Sequence, residues 1–334
     1  MNFLRRILHS RFLRIVVIVF IVLWILSLDY SGNKQPFTYG VSFSRFHSDE
    51  LKLDWRETYL AILDDLKVRD FRFSAHWPLT EPEEGKFNFS ELDFQIKEAE
   101  KRNASVILAV GRRLPGWPEC HEPKWLKNDE KETRLLNYIT EVVNRYKDSP
   151  AIKYWQVENE PYLTFFSRST CGVLDEKLLE KEVTLVQQLD SRPVLVTDSG
   201  EFGTWYKAYN QGDVFGTSLY LYIWNHKFGP LRYPILPSFF RIKQNIIRLF
   251  NGPKETMVIE LSAEPWLLQP IASTSLDVQL ERMGPDKFNE MVIFSSKTNF
   301  DKFYLWGAEW WYWLKLNGHP ELWDQARSLF SSSH

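Results

Sequence analysis

The chain has 334 residues and a formal net charge of −2, with an isoelectric point near 6.4. This length is suited to one large α/β barrel, which can bury a large core as a single domain. The near-neutral charge gives no sign of the basic face that nucleic-acid binding requires, and it excludes that class of partner.

The first 30 residues differ in character from the rest of the chain. Basic residues precede an apolar run over residues 15–28, so the positive-inside rule places the N-terminus in the cytoplasm and exports the remainder. The run is shorter than the roughly twenty residues of a usual span, but Phe12 and Leu13 extend it. We therefore expect residues 1–30 to form a cytoplasmic stub and an uncleaved transmembrane anchor. A cleaved signal peptide is the alternative, although no small-x-small cleavage site follows. The basic residues are Arg5, Arg6, Arg11 and Arg14.

After a short linker, residues 31–36, the sequence alternates between strand and helix patterns. Short apolar runs predict strands at 37–44, 70–77, 105–111, 152–160, 193–199, 213–220, 255–261 and 302–310. Apolar residues that recur at spacings of three and four residues predict helices at 54–68, 91–103, 130–148, 175–191, 237–250, 276–297 and 320–330. Strict alternation of this kind predicts a parallel (β/α)8 barrel, a TIM barrel, over residues 37–334.

Polar residues stand at the ends of two of these strands. Glu158, Asn159 and Glu160 follow the apolar part of the fourth strand, and Glu260 closes the seventh. Reactive groups of such barrels lie at the C-terminal strand ends. Two carboxyls that flank a glycosidic bond can hydrolyse it, one as a proton donor and the other as a nucleophile. The alternative for Glu160 is a helix cap or a solvated loop residue, and Glu264 competes with Glu260 for its role.

The segments "WQVENEP" and "VIEL" resemble the clan A retaining glycoside hydrolases, which include cellulases, xylanases, mannanases and β-galactosidases. The resemblance covers the chain from about residue 37 to its end. It implies that Glu160 is the acid/base and that Glu260 is the nucleophile. It also implies that Asn159 hydrogen-bonds the sugar hydroxyl next to the reacting carbon.

The segment "FRFSAHWPLTEPEEGKFNF" is similar to the second-strand region of these enzymes. The resemblance places Arg72 beside the nucleophile, where a positive charge would keep Glu260 ionised, and makes Trp77 a substrate-binding residue. An ion pair between Arg72 and a buried Glu158 is the alternative.

Aromatic residues are abundant, with fourteen tryptophans. The resemblance implies that Tyr220 hydrogen-bonds the nucleophile, although Tyr222 is an alternative. Trp306, with Trp310 and Trp311, is expected to form a platform under the sugar. Packing at the barrel rim is the alternative for these tryptophans.

Three further expectations concern charge and crosslinking. Strand alternation puts Glu158 on the same face as Glu160, where its like charge would raise the pKa of the acid. The long third-strand loop carries His121, which could bind an acidic sugar with its neighbours Arg112 and Arg113, or be solvated. Cys120 and Cys171 lie in neighbouring loops, and we expect either a disulfide at the cleft rim or two free thiols.

Other barrel chemistries fit less well. Metal hydrolases need clustered His and Asp ligands, and Schiff-base enzymes need a lysine at a strand end; neither pattern stands out. The sequence therefore predicts a membrane-anchored, extracytoplasmic retaining glycosidase with a carbohydrate substrate and no metal or cofactor. The alternatives are a membrane-tethered carbohydrate-binding protein and a transglycosylase on the same barrel.

Overall fold

Eight parallel strands close into a barrel, as the alternating pattern predicted. The structure is a computed structural model that describes residues 11–28, 36–116, 119–173, 175–225 and 227–331. The barrel strands are β1 (Thr38–Ser42), β2 (Asp70–Ser74), β3 (Ser105–Val110), β4 (Ile152–Val157), β5 (Val194–Asp198), β6 (Val214–Leu219), β9 (Thr256–Ser262) and β10 (Lys302–Trp306). An antiparallel hairpin, β7 (Tyr222–Asn225) and β8 (Gly229–Arg232), follows β6.

Helices alternate with these strands. They are α1 (Arg11–Ser27), α2 (Arg45–Glu50), α3 (Trp55–Asp64), α4 (Trp77–Thr80), α5 (Ser90–Lys101), α6 (Lys131–Tyr146), α7 (Thr164–Cys171), α8 (Glu176–Leu189), α9 (Tyr206–Gln211), α10 (Pro237–Asn251), α11 (Leu276–Arg282), α12 (Pro285–Ser295), α13 (Ala308–Leu316) and α14 (Glu321–Ser331). A 3-10 turn spans Ile271–Ser273. Apolar residues from the helices and from the outer faces of the strands form one continuous core.

The barrel closes where the first strand meets the last. Thr38 is in register with Lys302 and Ser42 with Trp306, while Ser42 also pairs with Arg72 on β2. All of these pairings are parallel, so the C-terminal ends of the strands lie at one rim of the barrel. The residues that follow β4, β9 and β10 therefore meet at this rim.

Several elements depart from the predicted pattern, among them the short helices α2, α4, α7 and α9, which were not predicted. The β7–β8 hairpin was not predicted; its turn uses Asn225, whose side chain accepts from the Lys227 N–H, and Gly229 with φ +69°. The helix predicted over 276–297 divides into α11 and α12 because Pro285 cannot continue an α-helix in mid-course. Helix α13 begins inside the stretch predicted as the last strand.

The N-terminal segment is described only in part. Helix α1 contacts α10 through Arg241, which donates to Ser27 O at 2.6 Å, and Asn245, which donates to Leu26 O at 2.8 Å. Among the residues with described structure, none of the helices is long and apolar enough to span a bilayer. The predicted stub, with Arg5 and Arg6, and nearly all of the predicted linker lie outside the described residues.

Candidate active site

Glu260 lies near the end of β9 with both carboxylate oxygens hydrogen-bonded. Tyr220, which follows β6, donates its hydroxyl to Oε1, and Arg72 Nη1 donates to Oε2 at 3.0 Å. The side chain is 13% exposed. The hydroxyl of Tyr222, the alternative partner, goes instead to Glu290. The structure thus brings together Glu260, Arg72 and Tyr220, as the resemblance implied.

Arg72 extends from strand β2 and hydrogen-bonds several groups of the site. Its guanidinium is buried and also donates to Gln156 Oε1 at 2.8 Å, to Asn159 Oδ1 at 2.6 Å and to the Ile259 carbonyl at 3.2 Å. It makes its ion pair with Glu260, so the alternative pairing with Glu158 is wrong. Because Arg72 occupies Asn159 Oδ1, the amide NH2 of Asn159 is left as the donor.

Glu160 lies on the turn after β4 and is 8% exposed. Its backbone N–H donates to Thr197 Oγ1 at 2.8 Å, while its side chain shares a hydrogen bond with Ser218 and leaves Oε1 without a partner. Burial first, and the negative charge of Glu260 second, raise the pKa of Glu160 to about 8. This carboxyl therefore carries a proton at neutral pH.

Glu158 does not supply the like charge that was predicted for it. Strand β4 ends at Val157, and Glu158 adopts a left-handed backbone with φ 57°, which ends the strand alternation. Its carboxylate turns to the backbone N–H groups of Arg112, at 2.9 Å, and Arg113, at 2.6 Å. The prediction was wrong because it extended the fourth strand to residue 160, three residues beyond its end at Val157.

Trp306 ends β10 and is partly exposed. Its indole N–H donates to Glu264 Oε1 at 2.6 Å, and the other oxygen of Glu264 lies 2.7 Å from His47 Nε2. Glu264 therefore holds Trp306 in place. Trp266, which sequence reasoning missed, packs edge to face on Tyr220 with ring centroids 5.1 Å apart.

The other two tryptophans of the predicted platform belong to the core. Trp310 and Trp311 are fully buried, with their N–H groups donated to Gln279 and to the Ala263 carbonyl. The packing alternative is therefore the correct one for this pair.

The prediction that Trp77 binds substrate is wrong. Trp77 is fully buried, stacks on Tyr138 and donates its N–H to Glu81 Oε2 at 2.8 Å. Its place at the start of α4 turns it into the core. His121 is also nearly buried: its ring stacks on Phe46 with centroids 5.2 Å apart, and these contacts favour a packing role.

A third carboxyl, which sequence reasoning missed, approaches the pair from the third-strand loop. Glu119 makes an ion pair with Arg113 at 2.7 Å, and its negative charge contributes to the raised pKa of Glu160. The next residue, Cys120, forms a disulfide with Cys171, with Cα atoms 5.3 Å apart, which confirms that alternative. The disulfide joins the loops after β3 and β4 beside the site.

Comparison with known proteins confirms the predicted resemblance to glycoside hydrolases. Residues 72–169 match Glycosyl hydrolase family 10, a span that includes Arg72, Asn159 and Glu160. The mannan endo-1,4-β-mannosidase A of Emericella nidulans is 23% identical over 145 residues, 40% of this chain and 37% of that protein. The β-galactosidase LacZ of Lactobacillus acidophilus is 28% identical over 104 residues, 25% of this chain and 16% of that protein.

Solved structures share the fold over most of the chain. A cold-adapted β-galactosidase from Rahnella sp. R3 matches with a TM-score of 0.58 and 12% identity, covering 90% of this chain and 56% of that one. A glycoside hydrolase family 5 mannosidase from Rhizomucor miehei matches with a TM-score of 0.55 and 14% identity, covering 82% of each chain. The curated relatives named above are matched over well under half of their length.

Proposed function

We propose that this protein is a retaining glycoside hydrolase that cleaves a β-glycosidic bond in an oligo- or polysaccharide. The observation that carries the proposal is the pairing of two carboxyls that lie in different surroundings. Glu160 holds a proton because its pKa is raised to about 8, and Glu260 is hydrogen-bonded by a guanidinium and a phenol. Glycoside hydrolysis requires one protonated and one ionised carboxyl.

The proposed reaction has two steps. In the first, a Glu260 oxygen attacks the anomeric carbon while Glu160 gives its proton to the leaving oxygen, so the glycosidic bond breaks and a glycosyl ester forms. In the second, Glu160 takes a proton from water, and the resulting hydroxide equivalent displaces Glu260 from the sugar. Two displacements at one carbon retain its configuration.

The neighbouring side chains support this assignment. Arg72 and Tyr220 orient the carboxylate of Glu260 and compensate its charge before the attack. Asn159, whose oxygen is held by Arg72 at 2.6 Å, offers its NH2 group to the sugar hydroxyl beside the reacting carbon. Trp306, fixed through its N–H, offers an aromatic face to the sugar ring.

We also propose that the N-terminal segment attaches the barrel to the outer side of a membrane. Most of the large apolar side chains of α1 between Phe12 and Ile25 are exposed, and arginines precede the apolar run. The measurement is fractionation of cells that express the full chain and a variant that lacks residues 1–30. Recovery of both in the soluble fraction would contradict the proposal.

The activity is tested with the purified full-length chain on aryl β-glycosides, β-mannan and β-xylan. We expect Glu260→Gln to be inactive and Glu160→Gln to lose about 10²–10⁴-fold in rate on substrates with poor leaving groups. Azide should rescue only Glu160→Gln, with an activated leaving group, and yield a β-glycosyl azide. Glu180→Gln, an exposed glutamate on α8, is the control and should match the wild type.

Product stereochemistry separates the possible outcomes. NMR of the first-formed sugar should show the β-anomer, and an α-anomer would refute double displacement. A wild-type protein that hydrolyses nothing, but binds polysaccharide equally well with and without the two substitutions, would favour a carbohydrate-binding protein.

A further inference from the structure

The turn that carries Glu160 has an unusual backbone. Glu158 and Glu160 both adopt left-handed conformations, with φ 57° and 44°. Residues with a β-carbon rarely adopt this region, because it brings the β-carbon too close to the carbonyl oxygen. Such conformations persist only where the surrounding contacts hold them. The position of the proposed acid therefore depends on whatever holds this turn.

The carboxylate of Glu158 supplies part of that hold. It accepts the backbone N–H groups of Arg112 and Arg113, and the Arg113 carbonyl in turn accepts the Asn159 N–H at 2.7 Å. Gly111, with φ +120°, makes room for it: a β-carbon there would lie 2.6 Å from Glu158 Oε1. These contacts fasten the turn after β4 to the start of the third-strand loop.

A second carboxyl, Glu182, completes the arrangement from helix α8. Its side chain is 2% exposed and hydrogen-bonds the Glu158 carboxyl, while its Oε2 has no protein partner. Two carboxyls can share a hydrogen bond only if one of them is protonated. Glu158 accepts two N–H groups and suits the ionised form, so the proton belongs to Glu182.

The electrostatic surroundings agree with this distribution of charge. Burial first, and the negative charge of Glu158 second, raise the pKa of Glu182 well above its usual range. Arg112 opposes that rise and Asp175 adds to it. A cleft of about 430 Å³ borders the pair. Its lining includes Arg112, Arg113, Glu158, Asp175 and Glu182.

We propose that Glu182 is a positioning residue: its protonated carboxyl hydrogen-bonds Glu158 and thereby holds the turn that places Asn159 and Glu160. This role rests on the proposed glycosidase function for its effect on catalysis, but the hydrogen bond itself does not. As the pH rises and Glu182 loses its proton, two adjacent carboxylates repel each other, and the N–H groups of Arg112 and Arg113 lose their acceptor.

Hydrogen–deuterium exchange of the full chain tests the hydrogen bond without any assay of activity. The probes are the Arg112 and Arg113 amides, measured at pH 6 and pH 9.5 and corrected for intrinsic exchange rates. In the wild type we expect protection at pH 6 to fall at least about tenfold at pH 9.5. In Glu182→Gln, whose amide donates at both pH values, protection should persist. In Glu182→Ala it should be low at both.

One control variant and two contrary outcomes complete the experiment. Glu180 lies on the same helix as Glu182 but is exposed. The amide protection of Glu180→Gln should therefore change with pH as it does in the wild type. Equal protection in Glu182→Ala and the wild type overturns the proposal. If Glu182→Ala does not fold, Glu182→Gln alone decides. If its Arg112 and Arg113 amides lose as much protection between pH 6 and pH 9.5 as those of the wild type, the proposal is overturned.

Kinetics then test positioning. With a substrate of the wild-type enzyme, we expect Glu182→Ala to lose at least about tenfold in kcat with little change in KM, and Glu182→Gln to restore most of it. A wild-type kcat in Glu182→Ala overturns the positioning role and leaves the glycosidase proposal intact. A wild type inactive on every substrate defeats the glycosidase proposal instead, and the exchange experiment still decides whether the hydrogen bond holds the turn.

Discussion

Replacing Glu260 by glutamine is expected to lower the pKa of Glu160 from its raised value of about 8. The rise in the pKa of Glu160 from 4.5 to about 8 has burial as its largest cause and the charge of Glu260 as its second. The whole rise corresponds to about 5 kcal/mol, at 1.36 kcal/mol per unit. Because burial is the larger cause and persists in Glu260→Gln, the pKa of Glu160 in that variant should lie below its wild-type value but stay above the ordinary value of a glutamate.

The assay is an NMR titration of protein labelled with 13C at the glutamate carboxyl. The signal of Glu160 is identified by its absence from Glu160→Gln, and Glu180→Gln serves as a control with unchanged titration. A second readout is the free energy of unfolding. Since the pKa is raised in the folded state, the contribution of Glu160 to stability is full below about pH 4.5 and is lost as the pH rises through about 8. Glu160→Gln should make that decline less steep.

Two results would refute this reasoning. A wild-type pKa near 4.5 would mean that Glu160 is not buried as the structure shows. A raised pKa that does not change in Glu260→Gln would mean that the two carboxyls do not interact, and the proposed pair would then lack its electrostatic basis.

Three other substitutions test separate parts of the site. Tyr220→Phe removes a hydrogen bond to the Glu260 carboxylate and should lower kcat about 10–100-fold with an unchanged circular dichroism spectrum; wild-type kcat would contradict this. Replacing Cys120 and Cys171 by serine opens a crosslink between residues 51 apart and should lower the free energy of unfolding in urea by about 4 kcal/mol. Trp77→Phe should cost about 1–3 kcal/mol of stability, because it leaves a buried carboxylate oxygen without its donor, and should not change KM. A raised KM would place Trp77 at the substrate.

The sequence predicted the barrel and the main carboxyls because both depend on local signals. Eight apolar runs separated by helical spacing are sufficient for a closed parallel sheet, and each of the eight lies on an observed barrel strand. Glu160 and Glu260 were found because they interrupt or end an apolar strand. A polar residue at the end of an apolar run can be recognised from the sequence alone.

The contacts that tune the site could not be predicted in the same way. Glu119 reaches Glu160 because a loop folds back and is crosslinked at Cys120, and Glu182 reaches Glu158 from a helix 24 residues further along the chain. Nothing in the sequence distinguishes either glutamate from the other charged residues of its loop or helix. The prediction for Trp77 was wrong for a related reason. The sequence pattern places a residue on a helix or strand but does not show which way its side chain points.

The electrostatic link between the two central carboxyls has a consequence for the second step of the proposed reaction. When Glu260 is esterified by the sugar, it loses the negative charge that helps to raise the pKa of Glu160. The pKa of Glu160 must then fall, which favours its ionised form when it has to accept a proton from water. Burial alone would hold the pKa high in both steps and would favour only the acid. The proximity of Glu260 is therefore what allows one residue to act first as acid and then as base.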